Sequence, residues 1–169
     1  MDRPQKMDTQ QIELVGRAAL EARLIQKGFE VARPNRDKGI DLIVFLDAPD
    51  QPFAALPIQF KSYTGNTFGV WRKYEGMTDL VLVYIWQVAT HPRFFLMDYA
   101  EAAALIPNDQ KRTDSWNRRD GKAGWSWTKV PEKVRLKVEE YEDRWQWLRD
   151  RLNAARRRPA RPPVAVTAS

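Results

Sequence analysis

The chain has 169 residues, enough for one domain with a sizeable core. It has no cysteine and a single histidine, His91 followed by Pro92, which excludes disulfides, thiolate metal sites and cysteine nucleophiles and argues against a Ser-His-Asp triad or a His-rich zinc site. A net charge of +6 points to a polyanionic partner, nucleic acid being the natural candidate; with no apolar leader and no bilayer-spanning apolar run, a soluble cytoplasmic protein without a membrane partner is expected.

Asp8 or Thr9 is placed to cap a helix over residues 10–27, and Gly28 suits the position just past its end. On a helical wheel Leu14, Val15, Ala18, Ala22 and Ile25 share one face, the expected core face. Glu13, Arg17 and Glu21 sit opposite with Leu20 and Leu24 among them, so this second face is expected to be partly covered. Residues 29–33 read as a first strand, 34–39 as a turn, and the apolar run 42–46 as a second strand headed by Asp41. After a turn of hairpin length, residues 56–62 form a third strand, with Ile58 and Phe60 facing one way and Gln59 and Lys61 the other.

A carboxylate at the head of one strand thereby meets an amide oxygen and an ammonium on its neighbour. Hard oxygen ligands of this kind suit Mg²⁺, and the lysine is suited to orienting a water or neutralising charge that develops on a phosphate. Asp37, earlier in the turn, competes with Asp41, but Asp41 directly precedes the apolar strand and so projects from a rigid element. The structural alternatives are an Asp41 that satisfies turn amides and a Lys61 that protects a strand edge.

Residues 63–74 form a Gly-bearing segment that interleaves Tyr63, Phe68, Trp71 and Tyr74 with Arg72 and Lys73, either a base-stacking and phosphate-binding loop or a turn packing its rings on the core. Residues 79–86 read as a central strand buried on both faces, residues 93–97 as another strand, and Asp98 as the cap of a short helix ending near Leu105. Residues 107–131 read as a basic, tryptophan-rich loop carrying Arg118 and Arg119. Residues 132–157 carry a long helix signal in which Val134, Val138, Tyr141, Trp145, Leu148 and Leu152 form a seam, packing either on the chain itself or on a second copy as a homodimer. The Arg- and Pro-rich residues 158–169 read as a disordered tail with salt-sensitive affinity for nucleic acid.

Gly39-Ile-Asp41 followed by Gln59-Phe-Lys61, with the preceding helix, glycine and strand, resembles the PD-(D/E)xK nuclease superfamily over residues 10–62. The likeness is to Mrr-like and Holliday-junction-resolvase-like members, and Mrr-type enzymes carry a Gln-x-Lys version of the second motif. The resemblance implies a three-layer α/β/α fold with a mixed central sheet and a nuclease-like core over residues 1–106. It implies a metal-dependent DNA endonuclease in which Asp41, Gln59, the Phe60 carbonyl and Glu13 hold Mg²⁺ or Mn²⁺ and Lys61 positions the water. Arg17, Arg36, Lys38, Lys73, Arg118 and Arg119 are the expected nucleic-acid contacts. Two departures stand out: Arg17 occupies the position of a helix glutamate found in many members, and Gln59 replaces an acid. Both favour the alternative of a non-catalytic nucleic-acid-binding module; a further alternative is a subunit of a DNA-processing or anti-phage complex, docked through the seam of residues 132–157. Glu13 and Glu21, a turn to either side of Arg17, are the candidates to supply the missing carboxylate, with Glu13 favoured.

Overall fold

The computed structural model describes residues 6–36 and 38–158, so Asp37 and most of the Arg/Pro tail lie outside the described residues. Helix α1 spans Thr9–Gln26 and begins with a reciprocal cap: the Asp8 carboxylate accepts from the Gln11 N–H at 2.8 Å, and the Gln11 side chain accepts from the Asp8 N–H at 2.9 Å. It ends at Gly28, whose φ of +78° turns the chain back into the sheet. Strands β1 (Glu30–Ala32), β2 (Leu42–Phe45) and β3 (Ala55–Ser62) follow, then β4 (Phe68–Trp71), β5 (Val81–Trp86) and β6 (Arg93–Met97). The five-stranded sheet has the order β1-β2-β3-β5-β6, parallel between β3 and β5 and antiparallel elsewhere, which makes the fold mixed α/β as expected.

Every residue of β5 is buried, in keeping with a central strand. Its alternate side chains feed two separate cores. Val81, Val83 and Ile85 pack with Leu20 and Leu24 of α1, whereas Leu82, Tyr84 and Trp86 pack with Phe68 and Val70 of β4.

The structure reverses the expected orientation of α1. Gly16, Leu20 and Leu24 are buried, while Leu14 is 62% and Ile25 63% exposed. The cause is steric: a Cβ built on Gly16 would sit 2.4 Å from the Ser62 Cβ, so only the glycine face lets the helix lie this close to β3. Apolar count alone pointed to the opposite face.

Residues 107–131 are also more ordered than the loop expected there. They form short helices α3 (Asn108–Lys111) and α4 (Asp114–Asn117), and strand β7 (Gly124–Trp127) pairs antiparallel with β4. The segment read as an aromatic loop at residues 63–74 therefore contains a strand. Trp116 is buried, and Trp125 and Trp127 pack against the second core, so these indoles anchor the segment. Helix α2 spans Tyr99–Ala104 behind its expected Asp98 cap.

The single long C-terminal helix is corrected to two, α5 (Glu132–Glu139) and α6 (Trp145–Arg156). Between them the backbone runs beside β6. The Leu96 N–H donates to the Tyr141 carbonyl at 3.0 Å and the Asp143 N–H to the Phe94 carbonyl at 2.9 Å, with Asp143 at φ +52°. Val134 and Val138 join one core, and Trp145, Leu148 and Leu152 the other, two groups on opposite faces of the sheet that one straight helix cannot serve. The apolar seam is thus buried within the chain itself. Arg93 fixes the crossing, donating to Glu142 at 2.7 and 2.8 Å and to Glu139 at 3.0 Å.

A large side chain at Gly16 has nowhere to go. Gly16→Leu should cost about 3 kcal/mol in urea denaturation, whereas Leu14→Gln on the exposed face should change stability by no more than about 0.5 kcal/mol. The hydrogen bonds from Arg93 hold the Glu142 carboxyl below the usual carboxylate range. That contribution is present above the unfolded carboxylate value and is lost as pH falls through the depressed folded one. Arg93→Gln should therefore cost about 1–2 kcal/mol at neutral pH, and the stabilities of the two proteins in chemical denaturation should draw together as pH falls below the usual carboxylate range.

Candidate active site

The sheet opens where β2 leaves β3. Their pairing ends at Leu42 and Ile58, with the Asp41 N–H donating to the Ile58 carbonyl at 2.8 Å. Beyond that point the Asp41 side chain replaces the strand: its Oδ2 accepts from the Phe60 N–H at 2.9 Å. The last residues of β3, Lys61 and Ser62, keep β5 as a ladder partner on one side. Gln59 is only 5% exposed, and its Nε2 donates both to Asp41 Oδ2 and, at 3.1 Å, to the Phe60 carbonyl. Two oxygens from adjacent strands therefore converge on a single position.

A cleft of about 270 Å³ lies over this opening, lined by Asp41, Gln59, Phe60, Lys61, Glu13 and Lys73. Helix α1 carries Glu13 there because Gly16 permits the close approach and because Ser62 Oγ donates to the Ile12 carbonyl at 3.1 Å. Glu13 is bonded to Arg17 at 2.8 Å, and the Arg17 guanidinium lies over the Phe60 ring at 5.8 Å. Arg17 lines a separate depression of about 100 Å³ with Asp41 and Arg33. Glu21, the other helix acid, accepts from Arg33 in a bidentate pair at 2.6 Å and does not line the cleft.

The remaining basic candidates divide. Lys73 lines the cleft, its ammonium over the Tyr74 ring at 4.9 Å. Arg36 and Lys38 are exposed in the turn ahead of Asp41 and do not line it. Arg118 and Arg119 are exposed too and lie outside the cleft lining, with Arg118 bonded to Asp120. Arg156 donates to the Leu46 carbonyl at 2.7 Å and Arg158 to Asp79 at 2.6 Å, so both serve intramolecular contacts.

Sequence reasoning did not single out Thr9 or Ser62, and it placed Tyr63 and Tyr74 only in the segment offered for base stacking; all four line the cleft. Burial, with a smaller contribution from Tyr74, pushes the Tyr63 phenol well above its ordinary value, so it stays neutral. The available signal was position: Ser62 and Tyr63 directly follow Lys61 in the chain.

The Asp41 carboxylate and the Phe60 carbonyl are hard oxygen donors that share one positively polarised group, the Gln59 amide nitrogen. Turning that amide over would exchange the nitrogen for its oxygen and give a third hard donor at the same place. The set holds one formal negative charge. Among the described residues no group of three His, Cys, Asp or Glu side chains is placed to hold a metal ion.

Compared with protein-family models, curated proteins and solved structures, the chain matches none. Among the described residues no helix is long and apolar enough to cross a membrane.

Asp41 has a structural role separable from any chemistry. Asp41→Ala leaves the Phe60 N–H and the Gln59 amide without this acceptor and should cost about 2–3 kcal/mol in chemical denaturation, while Asp41→Asn, which keeps an acceptor oxygen, should cost less.

Proposed function

We propose that the chain is a metal-dependent endodeoxyribonuclease, a phosphodiester hydrolase of the PD-(D/E)xK type. The carrying observation is the convergence of Asp41, Gln59, Phe60 and Lys61 in one cleft at the point where β2 parts from β3. In this reading the Asp41 carboxylate, the Gln59 amide oxygen and the Phe60 carbonyl hold Mg²⁺ or Mn²⁺, with Glu13 as an additional acid. The bound cation would supply Lewis-acid stabilisation of a phosphate oxygen and of the attacking water. Lys61 orients that water toward phosphorus and offsets negative charge as the phosphate becomes more crowded. Lys73, across the cleft, is suited to hold a neighbouring phosphate of the strand. The neutral phenol of Tyr63 adds no negative charge to the cleft wall. A three-layer arrangement of the restriction-endonuclease kind, a cytoplasmic location and DNA as the partner belong to the same proposal.

A second reading, a DNA-binding module that keeps the fold without cutting, is favoured by the Arg17–Glu13 pair. That pair commits the helix acid to a guanidinium. The two readings diverge on supplied metal. With Mg²⁺ or Mn²⁺, the wild type should nick supercoiled plasmid while Asp41→Asn and Lys61→Ala do so at least about a hundredfold more slowly. Equal gel shifts by all three proteins with no cleavage would favour the binding module instead.

Gln59→Glu provides a check that does not depend on cleavage. A second carboxylate at the cradle should tighten Mn²⁺ binding by about tenfold in calorimetry, because affinity for hard cations follows ligand charge.

A further inference from the structure

Lys61 carries its charge on a flexible stem, so its ammonium stays at the cleft that Asp41 and Gln59 also line only if something outside β3 holds it. The indole of Trp71 does so: Lys61 Nζ lies over that ring, 5.8 Å from its centroid. Trp71 does not line the cleft, and its influence there passes through Lys61. The indole is fixed in turn by the β4–β7 pair. Its Cη2 lies 2.9 Å from the Cβ position of Gly69, and its Cδ1 lies 3.1 Å from that of Gly124, on the opposite strand. Two positions without side chains, one per strand, form a backbone floor under both ends of the ring. A side chain at either position would displace the ring. The Arg72 N–H, donating to the Ala123 carbonyl at 2.8 Å, ties the next residue to the same partner segment.

We propose that Trp71 is a positioning residue for Lys61, and that the β4–β7 pair, to which residues 124–127 contribute one strand, is the element that fixes the ammonium at the cleft. The catalytic consequence rests on the reading of Lys61 as the residue that orients the attacking water. An indole over the ammonium restricts the lysine to rotamers that reach the cleft. Phenylalanine at the same place keeps a ring face, and leucine keeps bulk without one.

The test has two arms on the full-length chain. In the first, lysines are ¹³C-methylated reductively, and the Lys61 resonance is assigned by its loss in Lys61→Arg. It should be ring-current shifted in wild type and in Trp71→Phe, and unshifted in Trp71→Leu. In the second, plasmid nicking with Mn²⁺ should show kcat lowered about a hundredfold in Trp71→Leu with KM for DNA unchanged, and largely restored in Trp71→Phe. A Lys61 resonance identical in wild type and Trp71→Leu overturns the proposal. So does a Trp71→Leu protein that raises KM with kcat intact, which would make Trp71 a DNA contact. If wild type does not cut at all, the nuclease reading fails, and the resonance arm still decides whether Trp71 holds Lys61.

Discussion

The β2–β3 ladder ends at Asp41, and the carboxylate of that residue takes the place of the next rung. Everything at the cleft depends on this substitution. A strand that continued would pair the Phe60 N–H with a carbonyl and close the opening. Instead the Phe60 N–H bonds an anion, and the Phe60 carbonyl faces the Gln59 amide. The charge-assisted bond is stronger than the rung it replaces, so opening the sheet costs little stability while leaving a carboxylate and a carbonyl aimed at one position. The same constraint accounts for Gln59, a polar side chain almost wholly buried yet hydrogen-bonded twice.

Much of this was legible from residue order. Asp41 at the head of an apolar strand and Gln59-Phe-Lys61 on its neighbour are facts of spacing, and the pleat does the rest. The Asp8 cap, the Gly28 stop and the buried run of β5 were equally local. The orientation of α1 was not, because the wheel weighs side chains and the decisive residue has none. Gly16 contributes no hydrophobicity, but it alone allows contact with Ser62, and that contact draws Leu20 and Leu24 inward and leaves Leu14 and Ile25 outside. Glu13 reaches the cleft as a result of the same contact. Its partner Arg17, which stands where the resemblance expects an acid, is then held against Phe60.

The C-terminal half shows a second kind of illegibility. The spacing of Val134, Val138, Tyr141, Trp145, Leu148 and Leu152 does satisfy one continuous helix. The helix breaks because the groups flanking the break belong to different cores, and the cost is met by backbone bonds to β6 and by the Arg93 pairs. No local signal marks that division. Likewise β4 and β7 are separated by a long stretch of chain, and neither resembles a strand in isolation. Only their pairing gives Trp71 its floor and ties residues 124–127 to the cleft.

The passage of residues 141–143 alongside β6 also bears on the edges of the sheet. Strand β6 presents its outer edge to solvent until the last part of the chain arrives, and Phe94, Phe95 and Leu96 make that edge strongly apolar. A nascent chain without its C-terminal helices therefore exposes an unpaired template for another strand, the situation most prone to intermolecular β-pairing. Once Tyr141 and Asp143 have bonded, that edge is shielded along its middle, and on the far side the sheet ends in β1, three residues long. In the folded chain the C-terminal segment thus covers the middle of one border of the sheet that carries the cleft, and the other border is short.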